Sequence, residues 1–276
     1  MRSIGIRFTQ VVLMLGCAGT AFAQGLPTNQ PSVITVIREN VKIGRNAEHA
    51  RIEAGWPAAF AKAKSPTYYM ALTSMTGANE AWFLVPFASR AAEEADMKRN
   101  AADPALEAEL ERLARADGEV LDDLRTIQLR ARPDLSMGAF PDLAKARYYE
   151  VTWFRVRLGQ EQAFEAASKT WMASAKRNAP QTSYRTYALD AGGLAGTYLA
   201  FTSLESYAEF DRLAADGDKV WAGMTPDEMA VMEKAVGGIV NIETQRFRVD
   251  PTMSYVDQAT RDKDPAFWNP KKPAGQ

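Results

Sequence analysis

Apolar and polar positions along the chain predict strands and helices in a repeating order. Residues 148–159 read as a strand that runs into a glycine turn at Gly159, and a helix follows from Gln160 to about Lys176. Residues 33–44 have the same pattern, with a turn at Gly44 and a helix to about Lys64. The chain therefore reads as two copies of one α+β unit.

An internal repeat supports this reading, because a constant shift of 115 residues aligns the two copies without a gap. The conserved positions are large or turn-forming residues. The nine identical pairs are Val36/Val151, Val41/Val156, Gly44/Gly159, Trp56/Trp171, Tyr69/Tyr184, Gly77/Gly192, Leu84/Leu199, Glu94/Glu209 and Asp96/Asp211. We predict that the repeated aromatic residues pack in the cores of the two units.

The predicted elements follow the order β-α-β-β-α-(α)-β in each copy. Pro57 predicts a break in the first helix near Trp56, and Asp103-Pro104 and Thr225-Pro226 predict helix starts. A helix from Pro104 carries an apolar stripe that extends to Leu124. The predicted strands span residues 33–42, 68–74, 81–87, 126–132, 148–157, 183–189, 197–201 and 241–249, and the other helices include 89–100, 160–177 and 204–215.

This order is the ferredoxin-like one, in which a four-stranded sheet carries helices on one face only. Two copies can bury their uncovered sheet faces against each other, so we predict two tandem units packed sheet to sheet as an intramolecular dimeric α/β barrel. The predicted segments are a signal peptide (1–23), a linker (24–32), the first unit (33–136), a second linker (137–147), the second unit (148–256) and a polar C-terminal tail (257–276). We expect this tail to wrap the surface or to be disordered.

The charge balance excludes several classes of partner. The formal net charge is −1, and long runs of one sign are absent, which argues against nucleic-acid binding and against a polybasic membrane surface. We expect no membrane span, a monomer or weak homodimer, and at most a small-molecule ligand.

The N-terminus has the pattern of a secretory signal. Arg2 and Arg7 precede a short apolar run, and Ala21-Phe22-Ala23 is a small-x-small cleavage site, which predicts a periplasmic or secreted protein. Lipidation of Cys17 is the alternative, although Met14-Leu15-Gly16 is a poor lipobox. Cleavage would remove the only cysteine, and with a single histidine left we expect no metal site of the zinc or two-histidine type.

The stretch Tyr149-Glu150-Val151-Thr152-Trp153-Phe154-Arg155-Val156-Arg157-Leu158-Gly159-Gln160 resembles the opening strand and turn of the dimeric α/β-barrel superfamily, most closely its NIPSNAP-type and antibiotic-biosynthesis-monooxygenase-like domains. Leu158 and Ile43 stand where a proline is usual. The resemblance implies two units face to face and a cavity between sheet and helices. Members range from cofactor-free oxygenases and haem-degrading enzymes to proteins without known activity, so it does not specify a function.

Two groups of residues are candidates for chemistry. His49 is the only histidine, but its counterpart in the second copy is Phe164, which favours a packing role over catalysis or haem ligation. By strand parity, Arg38, Asn40, Trp153 and Arg155 share a face and could bind an aromatic or carboxylate-bearing ligand. The alternative is that the arginines pair with acids and the tryptophan packs. Glu39 is the one charged residue on the opposite face of its strand, which we assign to the core.

Three functional readings remain open from these residues. The leading one is an exported protein, not necessarily an enzyme and without a cofactor, that binds a small aromatic or anionic molecule between the units. The alternatives are a cofactor-independent oxygenase or haem-interacting enzyme, and a non-catalytic interaction scaffold. A closed pocket with a reactive residue pointing into it would favour an enzyme, and a filled interior would favour a scaffold.

Overall fold

A computed structural model describes residues 25–270 and shows a closed, entirely antiparallel eight-stranded barrel. Its first four strands are β1 (Val33–Val41), β2 (Tyr69–Ser74), β3 (Glu80–Phe87) and β4 (Leu121–Ala131), and the last four are β5 (Tyr148–Val156), β6 (Arg185–Ala191), β7 (Thr197–Leu204) and β8 (Ile239–Tyr255). The helices are α1 (Asn46–Glu53), α2 (Gly55–Lys62), α3 (Arg90–Ala101), α4 (Pro104–Gly118), α5 (Glu161–Asn178), α6 (Glu209–Ala222), α7 (Pro226–Val236), α8 (Gln258–Lys263) and α9 (Pro265–Trp268), with a 3₁₀ turn at Pro133–Leu135.

The strand order around the barrel is β1-β3-β2-β8-β5-β7-β6-β4. Within each half the sheet order is therefore 4-1-3-2, as in a ferredoxin-like unit. The two sheets meet at two seams, where β2 pairs with β8 and β4 pairs with β6. Closure leaves no free sheet edge among these strands, and the predicted fold class is confirmed.

Side chains that point inward fill the barrel. Successive residues of a strand point to opposite faces, and Val36 and Val151, on the same strand faces as Arg38 and Trp153, lie inside with no exposed surface. Trp82, Tyr187 and Phe247 are among the bulkiest of the interior side chains, and Trp82 packs against Phe247 with ring centroids 4.6 Å apart.

Local sequence signals set several element boundaries. The first helix breaks at Ala54, between α1 and α2, because the ring of Pro57 clashes with the carbonyl group of Glu53 four residues earlier. Gly44 and Gly159 end the turns after β1 and β5 with φ of 84° and 85°, a conformation that favours glycine. Thr225 and Glu228 form the predicted capping box.

Three sequence predictions about elements are wrong. Leu124 lies in β4 rather than in α4, because α4 ends at Gly118 and the following residues pair with β1. The helix predicted over 204–215 begins only at Glu209, since Leu204 still pairs with Tyr148 in the sheet. The last strand is longer than predicted and continues to Tyr255, where it pairs with Tyr69 of β2.

Residues 257–270, which follow β8, pack against one end of the barrel. Trp268 is 1% exposed, belongs to the interior cluster and donates its indole N–H to the carbonyl oxygen of Ala144 at 2.9 Å. Arg147 pairs with Asp264 and stacks over the ring of Phe267. This part of the predicted polar tail is therefore anchored in the core. The signal-peptide and lipidation predictions concern residues outside those described.

None of the helices within residues 25–270 is both long enough and apolar enough to pass through a bilayer.

Candidate functional site

The first half carries a cavity of about 640 Å³ between the outer face of its sheet and its helices. Its walls are mostly apolar and aromatic, with Trp56 and Phe60 from α2 facing Tyr69, Phe83 and Val85 from the sheet. A volume of this size is typical of sites for small organic molecules. The cavity lies on the side of the sheet that the resemblance predicts, not between the two units.

Four buried polar residues lie together at this cavity, and we call them the acid–histidine cluster: Glu39, His49, Glu53 and Asp117. Their potential ligating atoms all lie within 4.8 Å of one another. Each residue is 2–4% exposed. The three carboxylates line the cavity, so the cluster forms part of its wall.

Three elements bring these side chains together. Glu39 is the seventh residue of β1 and points outward under the helices, opposite in parity to Arg38. His49 and Glu53 are separated by four residues on α1 and therefore share one face of that helix. Asp117 lies in the last turn of α4, between the buried Leu113 and Val120.

Hydrogen bonds satisfy only part of the cluster. His49 Nε2 lies 2.8 Å from Glu39 Oε2 and 3.8 Å from Asp117 Oδ1. Within residues 25–270, Glu53 Oε1 and Asp117 Oδ1 are buried without a hydrogen-bond partner. Buried carboxylate oxygens without partners are costly, so each calls for an explanation.

Burial dominates the electrostatics of the cluster. Removal from water raises the pKa of Glu53 to about 11, and the nearby charges of Glu39 and Asp117 add to the shift. Burial also raises the pKa of Glu39, against the hydrogen bond from His49, which lowers it. The site thus holds carboxyl groups that resist ionisation unless a positive charge compensates them.

The charged residues of the described cavity lining are all acids, and no lysine or arginine is among them. These acids are Glu39, Glu53, Glu93, Asp96, Asp117, Asp122 and Asp123. Three of them, Glu93, Asp96 and Asp123, form ion pairs with Arg90, Arg99 and Arg125. Such a lining favours neutral or cationic ligands and disfavours the anionic ligand that the sequence left open.

The same lining does not suit haem, a cofactor found in some proteins of this fold. The propionate groups of haem need cationic or hydrogen-bond-donating partners, whereas the charged residues of this lining are acids. The residues at this cavity therefore do not fit a haem group.

The second half packs the equivalent positions with aromatic rings. Phe154 is the seventh residue of β5, as Glu39 is of β1, and Phe164 is the fourth residue of α5, as His49 is of α1. The rings of Phe154 and Phe164 lie 5.3 Å apart, and Phe164 packs on Tyr198 at 4.6 Å. The fold is therefore compatible with an apolar core at this place.

The predicted ligand-binding residues lie in and around the barrel interior. Arg38 and Trp153 are brought together: the guanidinium lies 4.9 Å from the ring centroid of Trp153 and 4.7 Å from that of Trp82. Arg38 also makes a bidentate ion pair with Glu80 at 2.8 and 3.0 Å. These are the contacts of the packing alternative, and a role in ligand binding stays a prediction.

The other two predicted residues, Arg155 and Asn40, have different neighbours. Arg155 donates a hydrogen bond to the hydroxyl of Thr197 at 3.2 Å, and Asn40 lies opposite Glu80 in the β1–β3 ladder. A small pocket of about 70 Å³ lies at one end of the barrel, lined by residues such as Leu26, Tyr149 and Arg185. The larger cavity outside the barrel is the better candidate site.

Sequence reasoning singled out His49 but missed its partners. Two signals were present: Glu53 follows His49 by one helical turn, and Asp117 interrupts the apolar stripe of α4. Glu39 stands out in the sequence only as the one charged residue on the strand face that is assigned to the core. Their convergence requires the packing of α1, α4 and β1, which no local pattern specifies.

No protein-family model matches the sequence, and a search of curated proteins found no match. Solved structures are similar in fold. An anthrone oxidase-like protein gives a TM-score of 0.54 at 10% identity, covering 84% of this chain and 96% of its own. A "putative monooxygenase" from Fusobacterium nucleatum gives 0.53 at 8% identity, covering 80% and 93%.

Another "putative monooxygenase", from Lactobacillus acidophilus, gives a TM-score of 0.50 at 11% identity. The match covers 83% of this chain and all of the other. Identities this low show the fold and not the activity. Together with the strand order, these similarities show that the chain has the dimeric α/β-barrel fold, here closed within a single polypeptide.

Proposed function

We propose that the protein binds a small, largely aromatic molecule in the cavity of its first half, and that the acid–histidine cluster is the reactive group of this site. The observation that carries the proposal is the contrast between the halves. Where the second half packs Phe154 against Phe164, the first half buries Glu39 and His49 beside a cavity of about 640 Å³. An apolar core would be compatible with the fold, so the polar cluster indicates a function.

The composition of the cavity defines the ligand class. Aromatic walls from residues such as Trp56, Phe60 and Phe83 favour a flat apolar ligand, and the acidic lining favours one that is neutral or positively charged. The proposal moves the ligand from the barrel interior to the helix side of one sheet. It also favours an enzyme over the scaffold, since the interior of the barrel is filled while a reactive cluster borders a separate cavity.

Ligand binding can be measured with three naphthalene derivatives of similar size: 1-naphthylmethylamine, 1-methylnaphthalene and 1-naphthoate. We expect the amine and the neutral compound to bind, and the carboxylate to bind at least ~10-fold more weakly, because like charge in a buried site costs more than one kcal/mol. Isothermal titration calorimetry and tryptophan fluorescence provide the readouts.

A pair of variants locates the binding. Val85→Trp should narrow the cavity and weaken binding, whereas Ala200→Trp, at the corresponding outward position of β7, should leave binding unchanged. Circular dichroism checks that both variants fold. Equal loss of binding in the two variants, or preference for the carboxylate, would contradict the proposal.

Oxidative chemistry is the reaction class that the names of the similar structures suggest, and we propose it as the first activity to test. Anthrone, a neutral tricyclic ketone, matches the ligand class inferred from the cavity. We expect dioxygen uptake when anthrone is added, with loss of this uptake in His49→Phe, a variant that places the second half's residue at that position. Uptake that persists in His49→Phe, or no uptake by the unmodified protein, would reject this activity.

A further inference from the structure

We propose that Glu39, His49, Glu53 and Asp117 bind one divalent first-row transition-metal ion. The donors are three carboxylates and one imidazole, a mixed oxygen and nitrogen set that suits Mn²⁺, Fe²⁺ or Zn²⁺ better than Ca²⁺ or Cu⁺. This inference goes beyond the proposed function, because it can hold whether or not an organic molecule enters the cavity.

The geometry is close to what an ion requires. Metal–ligand bonds of about 2.1 Å separate donors on opposite sides of an ion by about 4.2 Å. The potential ligating atoms of the cluster all lie within 4.8 Å of one another. Small side-chain adjustments would bring all four residues to bonding distance.

The charge balance of the cluster points to a missing cation. Among the described residues, His49 is the only basic group within ion-pair distance of these carboxylates, at 2.8 Å from Glu39 and 3.8 Å from Asp117. When its three acids are ionised, the cluster carries three negative charges against at most one positive charge on His49, and no other described residue neutralises the excess. A divalent cation would compensate it.

The unpartnered oxygens are an independent sign of a missing ligand. Glu53 Oε1 and Asp117 Oδ1 are buried, belong to residues that are 3% exposed, and have no hydrogen-bond partner within residues 25–270. Both residues belong to the group whose ligating atoms converge. An ion at the centre of the cluster would satisfy both oxygens at once.

The second half shows that the cluster is not a requirement of the fold. Phe154, Phe164 and Ser168 stand at the positions that match Glu39, His49 and Glu53, so only the first half has these ligands. The protein should therefore bind one ion per chain. Since the three carboxylates also line the cavity, a bound ion would favour organic ligands that carry an oxygen donor.

The test uses the full chain after treatment with EDTA and titrates Mn²⁺ and Zn²⁺ separately, without an organic ligand. Electron paramagnetic resonance follows free Mn²⁺, calorimetry follows Zn²⁺, and the melting temperature is recorded with and without metal. We expect one ion bound per chain, with a melting temperature several degrees higher in the presence of metal.

Two variants replace proposed metal ligands with the residues found at the matching positions of the second half. The fold already accommodates those residues there. His49→Phe and Glu53→Ser should each weaken metal binding by at least ~10–100-fold. Loss of a residue that only hydrogen-bonds to a metal ligand can already reduce metal affinity by that factor. Asp122→Asn is the matched control, because it removes one acid from the same cavity but not from the cluster. Asp122→Asn should leave the stoichiometry and the affinity of Mn²⁺ and Zn²⁺ binding unchanged.

Three results would overturn the proposal: no stoichiometric uptake of either ion, binding that survives His49→Phe and Glu53→Ser, or an equal loss in Asp122→Asn. Failure of metal binding would leave the titration with 1-methylnaphthalene unaffected, so it can be told apart from failure of the proposed ligand site. Circular dichroism distinguishes loss of the site from loss of the fold.

Discussion

Glu53 illustrates how a single residue acquires its chemistry from burial. Its side chain lies at the C-terminal end of α1, where Pro57 forces the helix to break, and it faces the cavity beside Asp117. In an exposed helix this glutamate would be ionised at neutral pH. Here burial and two neighbouring acids favour its protonated form.

The shifted pKa of Glu53 predicts the pH dependence of stability in metal-free protein. Its pKa rises from 4.5 to about 11 on folding, so the folded state holds a proton that the unfolded state releases between these values. The free energy of unfolding should therefore fall as pH rises from 6 to 8, with a contribution of up to ~1.4 kcal/mol per pH unit. Urea unfolding in EDTA at both pH values measures it.

Glu53→Gln provides the comparison for this measurement, because the amide keeps the shape of the protonated acid and does not titrate. The variant should be more stable than the unmodified protein at pH 8 and should show a flatter pH profile. If the free energy of unfolding of Glu53→Gln falls with pH as steeply as that of the unmodified protein, another group causes the pH dependence.

At the scale of elements, the C-terminal segment shows how polar composition can conceal a structural anchor. Residues 257–270 are rich in charge, yet α8 and α9 bring Trp268 into the barrel cluster and Asp264 to Arg147. Trp268 is 1% exposed and the neighbouring Val256 3%, so the segment is joined to the apolar core at both of its ends.

Removal of the Trp268 side chain should therefore destabilise the whole protein. Trp268→Ala removes a side chain that is 1% exposed and should lower the free energy of unfolding by ~3–5 kcal/mol. Trp221→Ala is the control, since Trp221 is 45% exposed, and it should cost much less. Chemical denaturation of both variants tests the difference, and equal effects would show that the segment does not stabilise the barrel.

At the scale of the molecule, the two halves form one barrel but differ in what they bury. The halves share strand order, turn glycines and aromatic positions, and their sheets pair at the β2–β8 and β4–β6 seams. The interior of the barrel is largely apolar and contains the Arg38–Glu80 pair, whereas the helix side of the first half carries the acidic cavity. The same fold therefore accommodates an aromatic core in one half and buried acids with a histidine in the other.

The narrower likeness to NIPSNAP-type domains, the unit boundaries and the export segment stay predictions. The first rests on the stretch from Tyr149 to Gln160, and the last on residues 1–23, which lie outside those described.

The sequence by itself determined the repeated element order, the sheet parity and the break at Pro57. These follow from local rules: alternating side chains in strands, helical spacing of apolar residues, and the backbone limits of proline and glycine. They were sufficient to predict two sheets that face each other.

Only the tertiary structure decided where the site is. Glu39, His49 and Asp117 are up to 78 residues apart in sequence, and their approach depends on how α1 and α4 pack over β1. The anchoring of Trp268 and the extension of β4 and β8 likewise depend on partners remote in the chain. Local propensity cannot report contacts of this kind, because the free energy that stabilises them comes from burial between distant segments.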